Sequence, residues 1–144
     1  MTPQRVTLIT LGVEDLTRSR AFYADFGWRE VVGESENIAF YRLHGAALAL
    51  FDRDALAEDQ GRPDAALGTG AMILAQNYPD RASVDAAFAR AVAAGATPLK
   101  QPEEVFWGGY SGYWTDPDGH VWEVAHNPFW PLDADGTLTL PEDG

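Results

Sequence analysis

Two helix-stopping glycines, Gly27 and Gly95, each close an amphipathic stretch that follows one apolar run and precedes several short β-branched or aromatic runs. This repeated order is the strongest constraint on the fold. In the first half, Arg5–Val13 reads as a buried strand, and Asp15 is a good N-cap for a helix over Leu16–Phe26. Ser19, Phe22, Tyr23 and Phe26 recur at helical spacing and give that helix one core-facing stripe. Strands are expected at Trp28–Val32, Asn37–Leu43 and Ala46–Phe51, with a tight turn at His44-Gly45. Asp52–Pro63 reads as a surface loop or short helix.

The order then restarts. Leu67–Asn77 is strand-like, and Ser83–Ala94 is a helix with Val84, Ala87, Phe88, Ala91 and Val92 on one stripe. Strands follow at Thr97–Lys100, Gly109–Thr115 and His120–His126. The last two are joined by Asp116-Pro-Asp-Gly119, where proline sets one φ and glycine permits a positive one. Both halves therefore read β-α-β-β-β. An internal repeat is the economical explanation, and an unrelated α+β domain is the alternative.

The expected organisation is one structural domain made of residues 1–66, residues 67–128 and an acidic tail at 129–144. Its 144 residues, 46% apolar, are enough for a real core. A net charge of −12 argues against nucleic acid and anionic membranes as partners and favours a neutral or cationic ligand. With no cysteine, disulfides, thiolate nucleophiles and Cys-based metal sites are excluded. The apolar runs are too short to span a bilayer and the N-terminus lacks a signal-like apolar segment, so a cytoplasmic protein is expected.

The strings LGVEDLTRSRAFYADFGW and GGYSGYWTDPDGHVWEVAHNP resemble the vicinal oxygen chelate superfamily, the glyoxalase, bleomycin-resistance and extradiol dioxygenase group. The resemblance spans residues 5 to 128 and is most specific in the DPDG-x-x-W-E-V block. It implies an α+β fold whose two βαβββ modules form an open, cup-like barrel of eight strands with helices outside. It also implies a homodimer and, in catalytic members, a divalent metal on inward His and Glu side chains.

Carried over one at a time, those metal positions fall on Leu8, Ala49, Ala71 and Glu123, and only Glu123 is a ligand. The spacing of His120, Glu123 and His126 looks tempting, but alternation along a strand sends the two histidines to the face opposite Glu123, and His44 lies in a turn. The expectation is therefore no metal and no cofactor. Glu123 has two readings, either a partner or base for a ligand or an inherited acid held by a buried Arg or Tyr.

Trp107, Tyr110, Tyr113, Trp114 and Trp122 crowd the same region. Trp122 is expected in the core because it alternates with Glu123. The expected ligand site comprises Leu8, Phe51, Ala71, Trp107, Tyr110, Trp114 and Glu123. The leading function is metal-free binding of an aromatic or cationic small molecule, as in antibiotic sequestration. The alternative is a metal-dependent or Glu123-based lyase, isomerase or dioxygenase.

Overall fold

In the computed structural model, which describes residues 1–31 and 36–142, the capping signals act where the sequence places them. The Asp15 carboxylate accepts from the Arg18 N–H at 3.2 Å and opens α1 (Leu16–Phe26). Gly27, at φ +107°, closes it in the left-handed conformation that a residue with a Cβ rarely adopts. Before α1 runs β1 (Leu8–Val13); after it come β2 (Ile38–Arg42), β3 (Ala47–Asp52) and a short α2 (Arg53–Asp59) capped by Asp52. These elements belong to a first compact unit, Met1–Gly68.

Its sheet has the order β1-β3-β2, with β1 parallel and β2 antiparallel to β3. Leu11, Val13, Ala39, Tyr41, Leu48 and Leu50 are buried on one face, where α1 delivers Phe22, Tyr23 and Phe26. The rings of Tyr23, Trp28 and Tyr41 lie 5.6–5.9 Å apart and anchor α1 to the sheet. Trp28, half-buried, therefore packs against the core rings of Tyr23 and Tyr41, and the strand expected over Trp28–Val32 is reduced to one bridge, Glu30 to Tyr41; Val32 lies outside the described residues.

The second unit, Thr69–Gly144, contains β4 (Ile73–Asn77), α3 (Arg81–Ala94), β5 (Thr97–Glu104), β6 (Tyr110–Thr115) and β7 (Val121–His126). The sheet order is β4-β7-β6-β5, with only the β4–β7 pair parallel. Asp80 caps α3 through the Ser83 N–H, and Gly95 ends it at φ +116°. Val84 and Phe88 of α3 cover Trp114, Trp122 and Val124, all buried. The two indoles stack with centroids 5.4 Å apart and planes within 7°. Prolines 98 and 102 sit on edge strand β5, where a missing N–H is tolerated, and the strand is irregular on both sides of Lys100. Beyond β7, the tail folds back through a Leu132–Leu138 bridge.

The cup-like barrel expected from the resemblance is not formed. Among the described residues, seven strands make one three-stranded and one four-stranded open sheet, and neither closes on itself. Closure needs the first and last strands of a sheet to pair; among the described residues β1 does not pair with β2, whose outer side carries only the Glu30–Tyr41 bridge, and β4 does not pair with β5. The α+β class, the two βαβββ-like units and the helices packed on their sheets stand.

At Gly112, a Cβ would lie 2.9 Å from both the Lys100 carbonyl oxygen and the Pro102 nitrogen. Both are backbone atoms, so Gly112→Ala is expected to cost about 1–3 kcal/mol, read as a lower urea midpoint at unchanged slope. Burial, and secondarily the charge of Glu30, push the Tyr41 phenol up to about 12 against an opposing effect of Arg20. The folded state thus holds this proton more tightly than the unfolded chain. Its stabilising contribution is complete below about pH 10 and is lost as pH rises towards about 12. Tyr41→Phe should make the fall of the urea midpoint across that window shallower.

Candidate functional site

The Asp116–Gly119 turn determines what faces what in the second unit. Asp116 is buried, and its carboxylate accepts from the backbone N–H groups of Asp118 and His120. With the turn locked, Thr115 pairs with Val121, Trp114 with Trp122 and Tyr113 with Glu123. Because side chains alternate, Trp114, Trp122 and Val124 face α3, and Tyr113, Glu123 and Ala125 face away from it. On β4, Ala75 is the register partner of Glu123. On β5, Lys100 is the partner of Tyr113.

Glu123 is half-buried and lies beside the Tyr113 phenol. Burial first, then a hydrogen bond to Glu123 and the negative charge there, raise the phenol's pKa above its ordinary value. The phenol thus stays protonated and donates to the carboxylate. Among the described residues Glu123 has no ion-pair partner; Lys100, on the far side of Tyr113, pairs with Glu103 at 3.2 Å.

Within the second unit, the residues expected at the ligand site do not share one face of the sheet. Trp114 is fully buried beneath α3 against Trp122. Tyr110 is on the α3 side as well: its hydroxyl donates to Asp85 at 2.7 Å, and the Arg81 guanidinium lies 5.0 Å from its ring centre. The sheet therefore separates both from Glu123. Trp107 sits in the turn between β5 and β6, partly exposed, with its indole over the Cα of Gly109. Ala71 lies outside β4, which begins at Ile73, so Ala75 occupies the position opposite Glu123. In the first unit, Leu8, Ala49 and Phe51 share the face turned away from α1; Leu8 is 44% exposed and Ala49 wholly buried.

The sequence reading passed over Tyr113 and Ala75 as site residues. Tyr113 had a usable signal: counting outward from the DPDG turn pairs it with Glu123, just as it pairs Trp114 with Trp122. Ala75 had none, because the start of β4 is not marked in the sequence.

The metal implied by the resemblance does not fit these residues. Leu8, Ala49, Ala71 and Ala75 offer no donor atom, and among the described residues no group of three or more His, Asp or Glu side chains could hold an ion. His44 is exposed in the β2–β3 turn, His120 lies in the turn before β7, and His126 Nδ1 is 3.0 Å from the Tyr78 carbonyl oxygen.

The model of the Glyoxalase/Bleomycin resistance protein/Dioxygenase superfamily matches residues 5–124, and the chain belongs to that superfamily. No curated protein matches it. A glyoxalase-related enzyme from Fulvimarina pelagi is 41% identical, with 96% of this chain and 99% of that one covered at a TM-score of 0.87. A lactoylglutathione lyase from Agrobacterium tumefaciens is 27% identical, covering 92% and 100% of the two chains at a TM-score of 0.68. A fosfomycin resistance protein from Listeria monocytogenes, 23% identical over 88% and 95% at a TM-score of 0.66, shares the fold.

The opposed faces give a clear stability contrast. Trp122→Ala opens a cavity beneath α3 and should cost about 3–5 kcal/mol. Trp107→Ala removes a partly exposed ring from a turn and should shift the urea midpoint far less. Equal shifts for the two would contradict this placement.

Proposed function

We propose that this protein binds a small organic molecule without a metal, on the face of the second sheet that carries Tyr113, Glu123 and Ala75. The supporting observation is the half-buried Glu123 carboxylate, which accepts from Tyr113 and has no metal-ligand partners within reach among the described residues. Such a group orients a ligand by hydrogen bonding, while the apolar surroundings of Ile73, Ala75 and Val121 supply the area. An aromatic or cationic ligand suits this combination, and capture of a basic antibiotic is one form such binding would take. The reading includes a homodimer, as the resemblance implies, to be checked by sedimentation.

A second reading has a specific support: the Fulvimarina pelagi relative is described as a glyoxalase-related enzyme. In it, Glu123 takes a proton from a bound substrate and Tyr113 donates a hydrogen bond to the charge that develops, as in a lyase or isomerase. Such an enzyme would exchange a substrate C–H for solvent deuterium, and Glu123→Gln would abolish the exchange.

The deciding experiment treats purified protein with EDTA and titrates it with aromatic amines, following backbone amide NMR signals. Shifts at residues 75, 113 and 123 that are indifferent to EDTA are expected. Near-stoichiometric Fe, Mn, Ni or Zn in the untreated protein, with binding lost on its removal, would overturn the proposal.

A further inference from the structure

The row across the second sheet at Glu123 reads Lys100, Tyr113, Glu123, Ala75, from edge strand β5 to edge strand β4. Side chains paired in such a row stand about 4.5–5.5 Å apart at Cβ. The two flanks of Glu123 are unequal. On one side stands Tyr113, whose hydroxyl donates to the carboxylate. On the other stands Ala75, a single methyl group on an exposed edge strand. A carboxylate has about four acceptor positions, and the phenol occupies one.

The nearest cation in the row does not serve this carboxylate. Lys100 is two strands away, about 10 Å by strand spacing, and its ammonium pairs with Glu103. No ion pair to Glu123 occurs among the described residues. On that flank the carboxylate itself offers only acceptor atoms, in a chain of net charge −12. An anionic ligand group would be repelled there, and a neutral acceptor would find no donor on that flank nearer than the Asn77 amide. Asn77, one row further along β4 on the same face, adds an amide at about 7–8 Å, within reach of a second polar group on the ligand.

We infer that the ligand carries a protonated amine or amidinium that binds Glu123 from the Ala75 side, with Tyr113 as the positioning residue that holds the carboxylate. This rests on the small-molecule reading above and narrows it to one ligand class. Tyr113 itself touches the carboxylate and not the cation, so its effect is on selectivity.

Three probes with one aromatic body and different head groups test this: 2-phenylethylamine, 2-phenylethanol and phenylacetate, each titrated into the isotope-labelled full chain and read at the amides of residues 75, 113 and 123. The amine is expected to bind at least about tenfold more tightly than the alcohol, and phenylacetate most weakly. Glu123→Gln should remove the amine's advantage over the alcohol. Tyr113→Phe should reduce the amine's advantage several-fold without moving the alcohol; equal losses for both probes would mark Tyr113 as merely structural. Ala75→Leu should weaken the amine by closing the open flank. Preserved amide dispersion shows that each variant is folded. If the alcohol or phenylacetate binds as tightly as the amine, or if Glu123→Gln keeps the preference, the cation inference fails and the small-molecule reading survives. If none of the probes shifts these amides at millimolar concentration, both fail.

Discussion

The stack of Trp114 on Trp122 beneath α3 determines the chemistry available to the second unit. A strand has only two faces, and side chains alternate between them. Once the paired indoles are drawn under the helix to remove their large apolar area from water, Tyr113 and Glu123 must point the other way. The site is in this sense a by-product of the core. Slipping β7 by one residue would bury the Glu123 carboxylate under α3 and expose Trp122, at a cost far beyond what the strand pairing could restore.

The first unit obeys the same logic with different residues. Its aromatic cluster of Tyr23, Trp28 and Tyr41 holds α1 against one face of the sheet, leaving Leu8, Thr10, Ala49 and Phe51 on the other. That second face has no charged side chain at these positions, and Ala49 stands where the resemblance implies a carboxylate. At the positions where the resemblance implies metal donors this chain carries leucine and alanine, and Glu123 lies beside a phenol. A lone carboxylate beside a donor is suited to hydrogen bonding and proton transfer, and not to holding a divalent ion by itself.

Much of the fold was legible in the sequence because its signals are local. Helix α1 runs from Leu16 to Phe26, as the Asp15 cap, the apolar stripe and Gly27 together require. Helix α3 begins two residues earlier than its apolar stripe indicated, because Asp80 caps it. The His44-Gly45 and Asp116–Gly119 turns lie where glycine supplies the positive φ. The misreadings concern pairing partners that lie far apart in sequence. Trp28 looked like the start of a strand and is instead a half-buried ring packed against Tyr41. Thr97–Lys100 extends to Glu104 because β6 lies alongside to pair with it. Closure into a barrel was expected from resemblance and is absent among the described residues because the first and last strands of each sheet do not pair with one another.

The sequence by itself determined which residues could share a face: Tyr110, Gly112 and Trp114 as one set, Ser111 and Tyr113 as the other, with Trp122 and Glu123 opposed. It also determined the shortage of metal donors, since alanine and leucine have none in any fold. Only the tertiary structure decided which set lies under a helix. Alternation is a local property of the backbone, but the choice of buried face depends on the fit of Val84 and Phe88 against the indoles, residues brought together only when α3 docks. That docking placed Trp114 in the core, left Tyr113 beside Glu123 and put Ala75, not Ala71, opposite the carboxylate.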